Sequence, residues 1–595
     1  MSAWFEVWAP AAGRVDVETG HGTGVARHPL AHLDGRPGWW GAEVQAAAHG
    51  TDYGFVLDGG EPLPDPRSPW QPDGVHGRSR VYDHGEFTWT DQQWHGRPFP
   101  GSVLYELHVG TFTPEGTFDA AARRLPHLTS LGIDAVEIMP VASFPGHHGW
   151  GYDGVHLWAP HEPYGGPDGL KRLVDDAHAH GLAVILDVVY NHLGPDGNRL
   201  GEYGPYFTDA HTTPWGDAVN FDQEGSDEVR AFVVQNALMW LRDYHVDGLR
   251  LDAVHAIADQ RAVHVLEELE GAVASLSAHL GRELFLIAES DLNDPRMVTS
   301  RDAGGYGLDA QWSDDFHHAL HAALTGERQG YYCDFGSLET LEKALTRVFV
   351  HDGTMSSYRG RHHGRPVDVQ VTPAHRFVGF LQNHDQIGNR ASGDRIAATL
   401  TPAQLKVGAA LLLLAPFTPM LFMGEEWGAT TPWCYFTDHV DPGLARAVSE
   451  GRRREFARHG WKGDVPDPQA EDTFRASVLD WVEPAKAPHR ELLDWHRSLI
   501  GLRRSRPEAN DPRLSATSVL TGERGWLMMW RGGLGVAANL GGDPVRIPAG
   551  GPTGREPEPR LLLASDQAVH LEPDADGDSG TAILVLPPAS AAVLG

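Results

Sequence analysis

The chain has 595 residues, of which 41% are hydrophobic and 22% charged, and a formal net charge of -32. That length exceeds a single core and predicts two to four domains, and the composition is that of an ordinary globular protein, not a disordered one. The acidic balance excludes nucleic acid and anionic membrane as partners, because both repel it; it says nothing of a cationic substrate, since an acidic solvated surface serves solubility.

The N-terminal run Met-Ser-Ala-Trp-Phe-Glu-Val-Trp lacks a basic region before an apolar core, so no signal peptide is expected. Trp4 to Trp8, Trp39 to Val44 and Tyr53 to Leu57 are short aromatic-rich runs separated by Gly, Pro and Asp. They predict a small β-sandwich over residues 1–95, with core packing the main duty of the aromatics. Asp65-Pro-Arg-Ser-Pro-Trp-Gln-Pro reads as an extended segment.

From about Pro100 short apolar runs alternate with helical patterns. The runs begin at Val103, Ala135, Ala183, Gly248, Leu284, Leu308, Phe377 and Pro419. Between them lie stretches such as Gly169-Leu-Lys-Arg-Leu-Val-Asp-Asp-Ala-His-Ala-His-Gly, ended by a glycine. The fold class predicted is α/β, a (β/α)8 TIM barrel over residues 96–515. Long interruptions, 189–248 and 333–373, are expected to build its binding face. Val407 to Met423 contains Pro416 and Pro419 and reads as a buried helix followed by a strand, not a membrane span. Runs at Gly525, Leu534, Arg560 and Ala582 predict an antiparallel β-domain over 516–595. The cysteines, Cys333 and Cys434, form no ligand cluster and read as free thiols in a reducing compartment, so a cytoplasmic enzyme is the default.

Three of the barrel runs end in an acid: Gly-Leu-Arg-Leu-Asp252, Leu-Phe-Leu-Ile-Ala-Glu289 and Gly-Phe-Leu-Gln-Asn-His-Asp385. The C-terminal ends of barrel strands are where such folds keep their chemistry. Singly, an Asp at a strand end serves as a helix N-cap. Three together point to a glycosidase, which needs a carboxylate on each side of the bond. Arg250, two residues before Asp252, shares its face and can hold it ionised as the nucleophile. Glu289 follows an apolar strand, which raises a carboxyl pKa and suits the acid/base. Asp385 fits a transition-state stabiliser.

Asp187-Val-Val-Tyr-Asn-His192, Gly248-Leu-Arg-Leu-Asp-Ala-Val-His255, Ala288-Glu289-Ser and Gln382-Asn-His-Asp385 resemble, in order and spacing, the four conserved regions of the α-amylase superfamily. The resemblance implies a (β/α)8 retaining enzyme acting on α-glucans and gives the three acids the same roles. It places His192, Arg250 and His384 around the sugar at the scissile bond, with Tyr152 stacked beneath it. The leading module, with Asp65-Pro and Gly74-Val-His-Gly-Arg-Ser, resembles the β-sandwich of isoamylases, branching enzymes and trehalohydrolases.

Further segments are similar to the maltooligosyltrehalose trehalohydrolase family: Asn191-His-Leu-Gly-Pro-Asp-Gly-Asn, Tyr203-Gly-Pro-Tyr-Phe, Thr213-Pro-Trp-Gly-Asp, Gln311-Trp-Ser-Asp-Asp-Phe-His-His318 and Gln382-Asn-His-Asp-Gln-Ile-Gly-Asn-Arg390. That family releases trehalose by cutting the α-1,4 bond next to the terminal trehalose unit of maltooligosyltrehalose, so this substrate and related α-glucan oligosaccharides are the implied partners, coupled to a trehalose-forming glucan synthase. Specificity then belongs to loops that meet the trehalose end. The substrate-binding set expected from these segments is Trp215, His255, Asp314, Asp315, Phe316, His317, His318, Asn383, Gln386, Asn389 and Arg390, with Tyr358 and Arg359 from the insertion before the seventh strand. No cofactor is expected. Many α-amylases carry calcium near the position of Asn191, but no carboxylate-rich loop accompanies it here, and no metal is expected. The competing readings are a debranching or branching enzyme and a non-catalytic glucan-binding protein.

Overall fold

The computed structural model describes residues 2–45, 47–213, 216–458, 465–551, 559–573 and 582–595. At its centre eight parallel strands close into a barrel: β1 (Leu104–Leu107), β2 (Ala135–Ile138), β3 (Ala183–Val188), β4 (Gly248–Leu251), β5 (Phe285–Ala288), β6 (Ala310–Trp312), β7 (Phe377–Phe380) and β8 (Thr418–Phe422), with β8 pairing back to β1. Every residue of these strands is buried, because one side faces the lumen and the other the surrounding helices.

The lumen is layered by the two-residue period of the strands. Its lower part is apolar, filled by Leu104, Ile185, Phe285, Ile287, Phe380 and Met420 among others. Two residues further along β1 to β4 the same face turns polar, with Glu106, Glu137, Asp187 and Arg250, all buried. Glu106 lies in register with Glu137, and Asp187 with Arg250. One further step along β4 and β5 places Asp252 and Glu289 just past the strand ends.

Before the barrel, a three-stranded sheet (Ser2–Trp8, Trp39–Gln45, Ala31–His32) packs with a five-stranded sheet built on Val15–Thr19 and Asp52–Leu57. Trp8 reaches the barrel domain edge-on to Tyr206, with ring centroids 5.5 Å apart. After the barrel, Thr517–Gly522, Trp526–Arg531, Leu534–Asn539, Ser590–Leu594 and Leu561–Ala564 form one antiparallel sheet, beside a three-stranded one. Among the described residues both cysteines are free and no helix is long and apolar enough to cross a membrane.

The N-terminal face of the barrel is closed by a buried charge network. Asp247, just before β4, accepts from Trp94 Nε1 at 2.7 Å and Val184 N at 2.9 Å, and meets His178 Nε2 at 3.0 Å. His178, in helix α1 (Gly166–Ala179), meets Asp91 through its other nitrogen at 2.8 Å. Burial pulls the imidazole pKa down, but the two carboxylates outweigh it and raise it overall. Asp247→Ala strands the imidazolium and two N–H donors, and is expected to cost about 3–5 kcal/mol. Denaturant unfolding checks this; a change within about 0.5 kcal/mol, the range of ordinary surface substitutions, would show the network to be dispensable.

Candidate active site

Arg250 is the hub of the site. Its Nη1 donates to both oxygens of Asp187 at 2.9 and 2.8 Å and to Asp252 Oδ1 at 2.9 Å. Its Nη2 lies 3.4 Å from Glu289 Oε2. The other oxygen of Asp252 accepts from Asn191 Nδ2 at 2.8 Å, so the carboxylate is fixed at both ends. The next residue, Ala253, has φ 39°, an unusual conformation for a residue with a side chain. That turn aims its N–H at Glu289 Oε2, 2.5 Å away.

Burial pushes the Glu289 carboxyl up to about 8; Arg250 opposes this, and Asp252, Asp385 and Asp314 add to it. Its side chain is 17% exposed and that of Asp252 11%, against 40% for Asp385. The first two are therefore sequestered in the floor of the cleft, while Asp385 stands at its open side.

Asp385 occupies the first turn of the short helix α2 (His384–Gly388), which follows β7. Asn383 caps that turn, accepting from Asp385 N and Gln386 N, and Gln386 Oε1 accepts from Asn383 N. Asn383 and Gln386 thus act on the site through the backbone they hold. Asn389 Nδ2 donates to Asp385 Oδ1 at 3.2 Å. Tyr152 donates its hydroxyl hydrogen to Asp187 Oδ2 at 2.6 Å and stacks on His384 with centroids 5.1 Å apart. His192 lies behind it, Nε2 at 3.0 Å from Tyr152 O and Nδ1 at 2.6 Å from Asn191 Oδ1.

A second wall rises past β5 and β6. His255 Nδ1 accepts from Asp291 N at 3.3 Å, and Arg359 pairs with the Asp291 carboxylate. Tyr358 is 56% exposed and meets Tyr331 edge-on. Burial pushes Asp314 up to about 7, with Asp291, Asp385 and Asp315 adding to it. His318 is enclosed by Tyr331, Tyr332 and Phe335, and burial pulls it down to about 3.

Four expected sugar contacts are spent inside the protein instead. Asp315 accepts from Val350 N, His351 N and Asn293 Nδ2 at 2.7–2.9 Å. Phe316 packs on Phe417, and His317 is tied to Leu381 O and Tyr332 Oη, both at 2.9 Å. Arg390 is held by Glu327 and Asp394. The physical reason for the first three is a helix start: residues 314–325 are helical, so consecutive side chains are rotated apart. Trp215 lies outside the described residues.

Asn191 does not fit a calcium ligand set here. Its amide donates to Asp252 and its carbonyl oxygen meets His192, and among the described residues no group of three or more His, Cys, Asp or Glu side chains is placed to hold a metal ion. Glu106, Glu137 and Asp291 also belong to the site, although their sequence context does not mark them as functional. A lone acid in the apolar runs Leu-Tyr-Glu-Leu and Ala-Val-Glu-Ile was the available signal.

A family model, the catalytic domain of α-amylase, matches residues 83–203. Malto-oligosyltrehalose trehalohydrolase of Rhizobium sp. (strain M-11) is 52% identical over 99% of this chain and 97% of its own. The protein of the same name from Arthrobacter ramosus is 53% identical over 93% and 95%. Among solved structures, one from Salmonella typhimurium, assigned by name only as an α-amylase, superposes with a TM-score of 0.87 at 38% identity, covering 100% of this chain and 98% of that one. A pullulanase with maltotetraose from Anoxybacillus sp. LM18-11 has a TM-score of 0.72 at 17% identity, covering 100% and 86%, and shares the fold.

Proposed function

The chain belongs to the malto-oligosyltrehalose trehalohydrolase family of the α-amylase superfamily, and from that membership we infer the duty of each group in its cleft. The enzyme is a glycoside hydrolase that cuts the α-1,4 bond beside the terminal trehalose unit of maltooligosyltrehalose and releases trehalose. The relatives' names favour this over debranching or branching of glycogen and over mere glucan binding.

In our reading, Glu289 gives its proton to the glycosidic oxygen as the bond from that oxygen to C1 breaks. Asp252 closes on C1 from the other face to form a β-glycosyl ester. Glu289, now ionised, takes a proton from water, whose oxygen displaces Asp252 and restores both groups. Tyr152 supports the sugar ring from beneath, and Asp385 with His384 holds its hydroxyls. One observation carries this reading: a single guanidinium bonds Asp252 and approaches Glu289, whose carboxyl burial pushes up to about 8 and so favours its protonated form.

The wall of Asp314, Asp291, Arg359, Tyr358, His318 and His255 is our candidate for gripping the trehalose end. We place the chain in the cytoplasm, working after a synthase that caps glucans with trehalose, and divide it at residues 95/96 and 515/516. Product analysis tests the reading. Maltooligosyltrehalose is expected to yield free trehalose at least about tenfold faster than plain maltooligosaccharide of equal length is cut, because a missed polar contact at the leaving-group side is costly. Cleavage of α-1,6 branches in glycogen with no trehalose formed would overturn it.

A further inference from the structure

Glu106 and Glu137 stand side by side in the lumen and take no part in the mechanism above. Their surroundings nevertheless differ. Neither oxygen of Glu137 has a hydrogen-bond partner among the described residues, and burial, reinforced by Glu106, raises its carboxyl well above the usual range. A protonated, uncharged group is the form such a site tolerates. Glu106 instead accepts twice from one residue: His384 N donates to Oε2 at 3.1 Å, and His384 Nδ1 meets Oε1 at 2.5 Å.

The opposite ring nitrogen of His384 is also engaged. His384 Nε2 lies 3.0 Å from Tyr152 Oη and 3.5 Å from Asp385 Oδ2. The hydroxyl hydrogen of Tyr152 is already given to Asp187, so its oxygen is an acceptor toward His384. Nε2 then carries a hydrogen, and with a Glu106 carboxylate as the acceptor Nδ1 carries another. Only the imidazolium form donates from both nitrogens.

We propose that Glu106 is a positioning residue that keeps His384 doubly protonated and aimed, so that Nε2–H serves the sugar bound between Tyr152 and Asp385. This rests on the reading of the cleft given above. Other groups set the balance. Asp385, Glu106 and, more distantly, Asp187 face the ring with acidic groups and Arg250 opposes a positive charge; Glu137, Tyr152 and His108, which burial pulls down to about 4, stand near it, and Trp150, Trp312 and Trp433 enclose it with neutral rings. Burial disfavours the charged ring, yet the acids outweigh it and lift its pKa to about 9.

The test uses the full-length chain carrying Glu289→Gln, which removes the titration of the acid/base from the profile. Affinity for maltooligosyltrehalose is measured by calorimetry from pH 6 to 10. A fall in affinity centred near pH 9 is expected as the ring loses its charge, separate from any earlier change near pH 7, where Asp314 gives up its proton. Adding Glu106→Gln is expected to move that fall down by at least about one pH unit, a tenfold change in the protonation equilibrium, because a charge-assisted bond to the charged form is lost. Glu106→Asp is expected to restore part of the shift. Glu137→Gln, an isostere of the protonated acid, is expected to leave the midpoint in place. An unmoved midpoint with Glu106→Gln, or an equal movement with Glu137→Gln, would overturn the proposal. Nitrogen NMR of labelled histidine at pH 8, in the protein with Glu106 intact, gives a reading independent of any variant that folds poorly: two protonated ring nitrogens support it and one refutes it. If Glu289→Gln itself still hydrolyses substrate, the fault lies with the acid/base assignment and not with Glu106.

Discussion

Glu289→Gln is expected to lower kcat by at least about 10²–10⁴-fold, the usual contribution of a general acid, while substrate still binds. The amide keeps an oxygen to accept from Ala253 N and differs from the protonated acid by little volume, so the floor of the cleft persists. What it cannot supply is a proton to the departing trehalose oxygen. An aryl α-maltoside, whose leaving group departs as an anion unaided, should therefore lose much less rate. The unsubstituted enzyme gives the matching pH result. Burial disfavours the charged carboxylate, Arg250 offsets this only in part, and the pKa stands at about 8. Below that value the proton is present; between about pH 8 and 9 kcat/KM is expected to fall about tenfold per pH unit, as it must for one required acid, and more steeply above about 9, where His384 loses its charge. Stopped assays on both substrates across pH 5–10 check this. Near-normal turnover of maltooligosyltrehalose by the Gln variant would remove Glu289 from the role.

The barrel was legible in the sequence because each of its strands is buried on both sides, which turns it into a short, mostly apolar run. Asp252 and Glu289 were legible for a related reason: a charge just past such a run marks the point where the chain leaves the packed layer. Glu106 and Glu137 lie inside their runs, and a single acid among apolar neighbours carries no hint of what stands beside it. Their meaning comes from the pairing of β1 with β2, and from the return of residue 384 to β1 across 278 positions. The opposite error concerns residues 314–318. Adjacency in sequence made them look like one polar cluster, but helical rotation sends Asp315, Phe316 and His317 into the wall and leaves Asp314 by the acids. Arg390 shows the same limit, for its partner Glu327 comes from a distant loop.

Asp252→Ala is expected to be the most damaging single change, lowering kcat by about 10⁴–10⁶-fold, as loss of a covalent nucleophile does. Two effects combine. The carbon–oxygen bond to C1 can no longer form, and Arg250 and Asn191 each lose a partner they hold at 2.8–2.9 Å. Arg250 keeps both bonds to Asp187, so the guanidinium remains in place and the cleft retains a space the size of the missing carboxylate. That space permits a sharper test than the loss alone. Azide is small enough to enter it and attack C1 from the same face, forming a nitrogen–carbon bond as the glycosidic bond breaks and Glu289 protonates the trehalose oxygen. One displacement replaces two, so the product should be a β-glycosyl azide, inverted relative to the substrate. In Glu289→Gln, by contrast, the aryl α-maltoside, whose leaving group departs unaided, still forms the ester on Asp252, and azide attacking that ester should give the α-azide. Product anomers read by proton NMR thus assign the two carboxylates separately. An α-azide from Asp252→Ala would mean that the nucleophile lies elsewhere, and a β-azide from Glu289→Gln would exchange the two roles.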